Sequence, residues 1–413
     1  MLDLKLIRSE TDAVRAALAR RGADSQLDAV LELDARWREI VPEVERLRAE
    51  QNAANDAIAE AKRAGGDADE QIAAMRELAA RVKSLDAERA QLEAERDAAL
   101  AALPNLPDPD AADEDSVLRE VGESGREGRD HLELAGALID IEAAAELSGS
   151  RFAYLKGDLV MLEFALVRYA LELLRGEGFE PVAPPVLVRE QALFGTGFLP
   201  DAERQIYRLA DDDLYLVGTS EVSLASLHAG QLLDEAALPL RYAGFSTCFR
   251  REAGAAGKDT RGIFRVHQFD KVEMFSFVAP EDAADEHERL LALEERILSE
   301  LGIPYRVVNI GVDELGASAA KKYDCEAWLP GQGRYRELTS TSNTTDYQAR
   351  RLGIRFRPAD GGRARHLNTL NGTAVAVGRT IIALLENGQR EDGGVSLPAV
   401  LEPYGAPSEL RAE

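Results

Sequence analysis

A heptad pattern split by one glycine turn constrains how the first quarter of this chain folds. Seam positions recur at alternating steps of three and four residues, stop at Gly65-Gly66-Asp67, and then resume. Such a pattern predicts two long helices packed as an antiparallel hairpin, each on the order of 50 Å long. The seam positions are Val30, Leu33, Trp37, Ile40, Val44, Leu47, Gln51, Ala54, Ile58 and Ala61 before the turn, and Met75, Leu78, Val82, Leu85, Arg89, Leu92, Arg96, Ala99 and Leu103 after it. From spacing alone, a dimerisation coiled coil remains an alternative.

The segments on either side of the hairpin predict its limits. Ser9, with Asp12 three residues later, resembles an N-cap that opens a short helix ending near Gly22. Three prolines within residues 104–109 forbid helix and mark a boundary. The sequence thus predicts a helical domain over residues 1–103, a proline-rich linker over 104–117 and a second domain over 118–413. Helices mixed with short strands, and few βαβ repeats, give the second domain an α+β class with an antiparallel sheet.

Composition narrows the functional classes. The net charge of −25 argues against a general nucleic-acid binder but allows a local basic patch. The two isolated cysteines, Cys248 and Cys325, suit a reducing compartment and argue against a zinc cage. No apolar run is long enough to cross a membrane, and the N-terminal residues do not resemble a secretory signal. We therefore expect a cytoplasmic protein without a membrane partner.

The stretch over residues 245–275 predicts two strands joined by a glycine-rich basic loop. Alternation in the first strand places Arg250 and Glu252 on one face, and alternation in the return strand groups Phe269, Lys271 and Glu273. A cation, an aromatic ring and carboxylates in this arrangement suit a nucleotide attacked by an amino acid. Taken alone, the arginine–glutamate pair is more simply a cross-strand ion pair. The chain has no P-loop and no G-x-G-x-x-G fingerprint, so ATP chemistry needs another architecture.

Three further patterns, in order, resemble one known family. An apolar helix over residues 159–174 precedes a strand ending at Pro185, Phe-Arg-Arg-Glu begins at Phe249, and LNGTAVAVGRTIIALLEN contains Arg379. With G-T-G at residues 195–197 and G-T-S-E at 218–221, the whole chain resembles the bacterial-type seryl-tRNA synthetases, class II enzymes. The resemblance implies a homodimer with a six- to seven-stranded antiparallel sheet flanked by helices. It also implies that ATP activates L-serine to seryl-adenylate and that serine then passes to tRNA(Ser), with tRNA(Sec) left open.

Residue roles follow from the same resemblance. Arg250 matches the arginine that bridges the α-phosphate and the substrate carboxylate, and Arg379 matches the one that grips the γ-phosphate. With Glu337 they form the catalytic set, and Glu337 and Ser340 are the expected Mg²⁺ contacts. The full predicted ATP set is Arg250, Arg251, Glu252, Val266, Phe269, Glu337, Leu338, Thr339, Ser340 and Arg379. The family often has serine where Thr339 stands, which leaves that contact open.

The predicted L-serine pocket combines carboxylates for the ammonium group with partners for the hydroxyl. It comprises Thr219, Ser220, Glu221, Arg250, Glu273, Asn371 and Thr373. Two alternatives remain: an inactive RNA-binding paralogue, and a ligase that loads a carrier protein. The first would lose catalytic arginines, and none is lost. The second resembles zinc enzymes that lack the hairpin, whereas Thr219 and Thr373 stand where thiolates would be needed, so no zinc is expected.

Overall fold

The computed structural model describes residues 1–65, 67–200, 203–253, 257, 259 and 261–411. They divide into two compact units, Leu2–Pro104 and a larger unit of Asn105–Glu413 with Met1. The α-helices of the described residues are α1 (Leu4–Ser9), α2 (Thr11–Ala19), α3 (Asp24–Arg63), α4 (Asp69–Ala102), α5 (His131–Ala135), α6 (Ile141–Ser148), α7 (Asp158–Gly176), α8 (Glu190–Thr196), α9 (Glu221–Ala225), α10 (Ala283–Glu300), α11 (Tyr347–Leu352) and α12 (Val377–Asn387).

The strands of the described residues are β1 (Ser116–Val121), β2 (Ile139–Asp140), β3 (Tyr154–Leu155), β4 (Glu180–Val182), β5 (Leu187–Val188), β6 (Tyr207–Leu209), β7 (Leu214–Leu216), β8 (Leu232–Asp234), β9 (Leu240–Phe249), β10 (Gln268–Val278), β11 (Tyr305–Asn309), β12 (Lys321–Leu329), β13 (Arg334–Asn343), β14 (Arg355–Arg357), β15 (Arg365–His366), β16 (Asn368–Ala376), β17 (Val395–Ser396) and β18 (Glu409–Leu410).

The first unit contains the predicted hairpin, built from α3 and α4. Its seam buries Val44 and Leu92, and Arg89 in the seam lies 3.5 Å from Asp86. Arg96 lies 4.8 Å from the Trp37 ring and 3.8 Å from Asp34, which also accepts two hydrogen bonds from Arg8. Gly66 of the predicted turn lies outside the described residues. The capping role predicted for Ser9 is wrong, because Ser9 is the last residue of α1 and donates weakly to the Leu6 carbonyl.

The larger unit is organised around an eight-stranded sheet in the order β1-β11-β12-β13-β16-β10-β9-β4. Every neighbouring pair is antiparallel except β4 with β9, so the α+β prediction is confirmed with at least one strand more than the resemblance implied. Helices α7, α10 and α12 supply apolar residues to the main core, while α9 and α11 pack with Phe275 and Phe277 in a second cluster.

Strand alternation divides the side chains of the central sheet between these two clusters. On β10, Met274 joins the main core and Phe275 joins the second cluster. Strand β16 continues the division, because Gly372 pairs with Met274 and Asn371 pairs with Phe275. The face next to α9 and α11 therefore receives the polar side chains that sequence analysis assigned to a substrate.

Candidate active site

One cleft, of about 640 Å³, collects most of the predicted nucleotide-binding residues. It lies where β9 and β10 meet β13, β16 and the start of α12. Its lining residues are Arg250, Glu252, Ile263, Phe264, Arg265, Val266, Phe269, Lys271, Glu337, Leu338, Ser340, Thr373, Ala376, Gly378 and Arg379.

Arg250 lies at the mouth of this cleft, just beyond the end of β9. Its Nε donates to the Gly218 carbonyl at 3.1 Å, and its guanidinium carbon lies 5.3 Å from the Phe269 ring centroid. Among the described residues no carboxylate forms an ion pair with it, so its charge is available to an anion. The prediction that Arg250 and Glu252 belong to the strand is wrong, because β9 ends at Phe249. Glu252 also has φ of 50°, a conformation in which a strand cannot continue.

Arg379, the third residue of α12, lines the same cleft. Its Nη1 donates to the Glu337 carbonyl at 2.9 Å and lies 3.6 Å from the Glu337 carboxylate. Burial lowers the pKa of Arg379, and the nearby positive charge of Arg250 lowers it further. Two guanidinium groups that repel each other across one cleft form a site for a polyanion.

Glu337 is the acidic counterpart of these arginines. Its side chain is 44% exposed, so it can reach a ligand in the cleft. Burial works to raise the pKa of Glu337, but the charges of Arg379 and Lys322 outweigh it and the pKa lies below its ordinary value. The carboxylate is therefore ionised at neutral pH.

The far wall contains residues that sequence analysis did not identify. The Phe264 ring lies under two guanidinium groups, with Arg336 at 3.8 Å and Arg379 at 4.6 Å. Arg265 donates to Glu252 at 2.8 Å, and Arg336 forms a bidentate pair with Asp259. The available signal was the Arg-Tyr-Arg-Glu run that ends at Glu337, which places Arg336 on the strand of the predicted Mg²⁺ contact. The basic Lys258 of the connecting loop lies outside the described residues.

A second group, of buried carboxylates, contains the residues that sequence analysis assigned to L-serine. Glu273 lies 2.5 Å from the Lys271 ammonium, and both side chains are at most 8% exposed. Burial, together with the neighbouring Glu273 charge, raises the pKa of Glu221 to about 7. Burial also raises the pKa of Glu273, although Lys271 opposes this. Two neighbouring carboxylates, of which one is paired with the Lys271 ammonium, can accept a second cation.

The other predicted serine contacts surround these carboxylates to different degrees. Thr373 pairs directly with Glu273 across β10 and β16 and lines the cleft. Thr219 accepts a hydrogen bond from the Glu221 backbone at 3.2 Å. Asn371 is half-buried two residues before Thr373, on the same face of β16. Ser220 is fully buried, and its hydroxyl faces the Gly244 carbonyl at 3.4 Å.

Two predicted ATP contacts do not bring their side chains to the cleft. Thr339 is buried on the opposite face of β13, where its hydroxyl donates to Glu294 at 2.8 Å. Arg251 is exposed, with its guanidinium carbon 6.0 Å from the Tyr207 ring. Only the backbone of Thr339 is therefore available to a ligand, which also explains why threonine fits where the family often has serine.

The residues present fit a magnesium ion held jointly with a nucleotide. Glu337 is ionised, and Ser340 lines the same cleft three residues along β13. Magnesium accepts one or two carboxylates when phosphate oxygens supply further ligands. Within the described ranges, no group of three or more His, Cys, Asp or Glu side chains could hold a metal by itself.

Comparisons with known proteins converge on one family. The "Seryl-tRNA synthetase N-terminal domain" family matches residues 1–107, and the "tRNA synthetase class II core domain (G, H, P, S and T)" family matches residues 206–388. The chain is 53% identical to the serine–tRNA ligase of Acidothermus cellulolyticus, over 100% of this chain and 99% of that protein. It is 51% identical to that of Streptomyces coelicolor, over 98% and 97%.

Comparison with solved structures leads to the same family. The crystal structure of seryl-tRNA synthetase from Pyrococcus horikoshii complexed with ATP is 42% identical, with a TM-score of 0.93 and full coverage of both chains. The cytoplasmic serine–tRNA ligase of Naegleria fowleri in complex with AMP is 32% identical, with a TM-score of 0.87, over 100% of this chain and 99% of that one. The chain therefore belongs to the seryl-tRNA synthetase family, whose members are ATP-dependent serine–tRNA ligases of the class II fold.

Proposed function

We propose that this protein activates L-serine with ATP in the cleft between Arg250 and Arg379 and then transfers serine to the 3′ end of tRNA(Ser). The observation that carries the proposal is the pairing of a polyanion site with a buried carboxylate pocket. Glu221 and Glu273 favour the serine ammonium, while the arginines favour its carboxylate and the triphosphate.

In the first step, an oxygen of the serine carboxylate attacks the α-phosphorus of ATP. A new oxygen–phosphorus bond forms, the bond to the bridging oxygen of the β-phosphate breaks, and pyrophosphate leaves. The attacking carboxylate is already ionised, so no protein group has to remove a proton. Catalysis then consists of positioning and of stabilising negative charge as it shifts to pyrophosphate.

We assign Arg250 to the α-phosphate and the serine carboxylate, because its planar fork can donate to both. We assign Arg379, which lines the same cleft, to the departing phosphates. The Phe269 ring accepts the adenine face, and the Glu252 carboxylate, already bonded to Arg265 through one oxygen, accepts from the adenine amino group. The backbone at Val266 completes the nucleotide contacts.

Glu337 and Ser340 would hold magnesium together with the ATP phosphates. When bound, the ion would neutralise negative charge on the phosphates. Equilibrium binding gives a readout that does not depend on turnover. Magnesium should tighten binding of a non-hydrolysable ATP analogue to the natural protein, and much less so to Glu337→Gln.

We propose that tRNA binds to the α3–α4 hairpin, which lies within the predicted domain of residues 1–103. The hairpin then recognises the phosphate backbone and the shape of the tRNA. Two of its arginines are occupied across the hairpin, Arg48 by Asp86 at 2.7 Å and Arg81 by Glu43 at 2.6 Å. Lys62 in the last turn of α3 lacks such a partner among the described residues. Lys62→Ala should therefore weaken tRNA binding and reduce its salt dependence more than Arg48→Ala does. Equal effects would contradict this assignment.

We also propose that the protein forms a homodimer and is cytoplasmic. The outer face of α7 and the nearby α6–β3 segment expose large apolar side chains, with Leu147 72%, Phe164 62% and Met161 50% exposed. A patch of this kind favours association with another protein surface. Analytical ultracentrifugation should give a dimer, and Phe164→Glu should give a monomer. A natural protein that sediments as a monomer at micromolar concentration would contradict the dimer. In addition, no helix among the described residues is long and apolar enough to cross a membrane.

The experiment that tests the central proposal is pyrophosphate exchange with each of the twenty amino acids. Exchange should require serine and magnesium, and alanine, glycine and threonine should support it far more weakly. A pocket that hydrogen-bonds the serine hydroxyl rejects alanine because its polar groups would be left unpaired. Strong exchange with another amino acid, or none with serine, would refute the proposal. Charging assays with both tRNAs then test tRNA(Sec) as a second acceptor beside tRNA(Ser).

A further inference from the structure

Gln348 of α11 is fully buried and contacts the serine pocket without lining it. Its Nε2 donates to Glu221 Oε1 at 2.8 Å and to the Thr196 carbonyl at 3.2 Å. Its Oε1 accepts from the Thr369 hydroxyl at 2.8 Å. The Thr344 hydroxyl, 2.6 Å from that of Thr369, extends the same chain of hydrogen bonds. All five residues are at most 8% exposed.

Donor and acceptor chemistry fixes the direction of this chain. The Thr196 carbonyl can only accept, so the nitrogen of the Gln348 amide, not its oxygen, must point toward it. The amide oxygen then faces Thr369, whose single hydroxyl proton is donated to it. The single proton of the Thr344 hydroxyl has two acceptors within reach, the Thr369 hydroxyl and the Thr369 carbonyl at 2.8 Å. The carbonyl of Thr196 and the hydroxyl of Thr369 thus fix the orientation of the Gln348 amide, and this orientation turns an N–H toward Glu221.

We propose that Gln348 is a positioning residue of the serine pocket: it holds Glu221 as a hydrogen-bond acceptor and leaves the second carboxylate oxygen for the serine ammonium. The inference rests on the proposed function, since it takes Glu221 to be a serine contact. Among the described residues, Gln348 is the side chain that donates a hydrogen bond to the Glu221 carboxylate, while the Lys271 ammonium forms its ion pair with Glu273.

The connection to Thr369 gives the arrangement a second role. Thr369 lies on β16 together with Asn371 and Thr373, on the same face of the strand. The hydrogen bonds therefore join the helix that carries Glu221 to the strand that carries the other predicted serine contacts. A change in Gln348 should be felt as weaker serine binding and not as weaker ATP binding.

Pyrophosphate exchange tests the inference with three variants and one control. Gln348→Met keeps the length of the side chain and removes both hydrogen-bonding ends, so the KM for serine should rise about 10- to 100-fold. Thr369→Val should raise it about 3- to 10-fold, because the amide stays but loses its orienting partner. Thr369→Ser restores the hydroxyl and should stay within about twofold of the natural protein. The KM for ATP should change less than about twofold in all three.

Ser276→Ala is the matched control. Ser276 is equally buried on the neighbouring strand, and its hydroxyl donates to Glu286 at 2.7 Å, away from the pocket. Its loss should lower the unfolding temperature without a selective effect on serine. If Gln348→Met does not fold, the contrast between Thr369→Val and Thr369→Ser decides.

Two results would overturn the inference. One is a folded Gln348→Met or Thr369→Val whose KM for serine stays within about twofold of the natural value. The other is a parallel rise in the KM values for serine and ATP, which would indicate a general structural role. Failure of the proposed function is distinguishable, because the natural protein would then show no serine-dependent exchange at all.

Discussion

Arg379→Ala separates catalytic from structural roles at the α12 end of the cleft. The guanidinium makes one hydrogen bond to the Glu337 backbone, lies 3.6 Å from a half-exposed carboxylate and covers Phe264 at 4.6 Å. Removing it costs the fold little, because an ion pair with a half-exposed partner contributes at most about 1 kcal/mol. Relief of repulsion from Arg250 offsets part of even that.

The effect on activation should be much larger. A single preorganised charge contact to a developing anion contributes about 2–4 kcal/mol to transition-state stabilisation. At about 1.4 kcal/mol per factor of ten, kcat/KM for ATP should fall roughly 30- to 1000-fold. Arg379→Lys keeps the charge but loses the planar fork, so we expect an intermediate loss.

The assay is pyrophosphate exchange at saturating serine, accompanied by thermal unfolding. Arg390→Ala is the control: its side chain is 32% exposed, against 22% for Arg379, and it pairs with Asp392 and Glu409 outside the cleft lining. The control should keep its activity. If Arg379→Ala retained kcat/KM for ATP within about threefold, or if both variants lost activity equally, the catalytic assignment of Arg379 would be refuted.

Three further predictions concern the pocket, the core and the hairpin. Because the pKa of Glu221 is raised to about 7, its carboxylate protonates as pH falls through that value; the KM for serine should then rise by up to about tenfold per pH unit, and a value unchanged between pH 8 and 6 would contradict this. Burial raises the pKa of Glu294 far above its value in the unfolded chain, so the folded protein keeps a proton that the unfolded chain releases, and the free energy of unfolding falls as pH rises. Glu294→Gln removes this loss and should therefore stabilise the protein increasingly above pH 5. Urea unfolding measures the gain, and equal gains at pH 5 and 8 would refute the reasoning. A chain that begins at Asn105, whose side chain bonds to the Ser318 and Thr344 carbonyls, should keep pyrophosphate exchange and lose tRNA charging; equal loss of both would mean that the hairpin supports the catalytic fold.

The hairpin was predictable from its heptad spacing, and the α+β class was predictable from the order of helical and strand patterns along the chain. Arg96 occupies a heptad seam position and is indeed buried, although the pattern could not show that Asp34 and Trp37 would partner it. Strand ends were less predictable. Arg250 and Glu252 alternate like strand residues, and the Arg250 N–H still donates to the His267 carbonyl, but the extended conformation is lost by Glu252, whose φ is 50°. The local pattern does not show this turn.

The residues that sequence analysis missed owe their roles to contacts with residues that are distant in the sequence. Gln348 follows Glu221 by 127 positions and contacts it only because α9 and α11 pack on the same side of the sheet. Phe264 gains its significance from Arg336 and Arg379, which reach it from two other elements. Such residues have no local signal beyond their type.

The division of the sheet into two faces explains which departures from a family motif the fold tolerates. On β13, Ser340 lines the cleft, while Thr339 points to α10 and donates to the buried Glu294. A hydroxyl is needed at position 339 to satisfy this acidic side chain, and serine or threonine supplies it equally. At Ser340, by contrast, an added methyl group would enter the cleft that we propose for the nucleotide. We therefore expect the packing around Glu294 to limit which residues occupy position 339, and nucleotide binding to limit which residues occupy position 340.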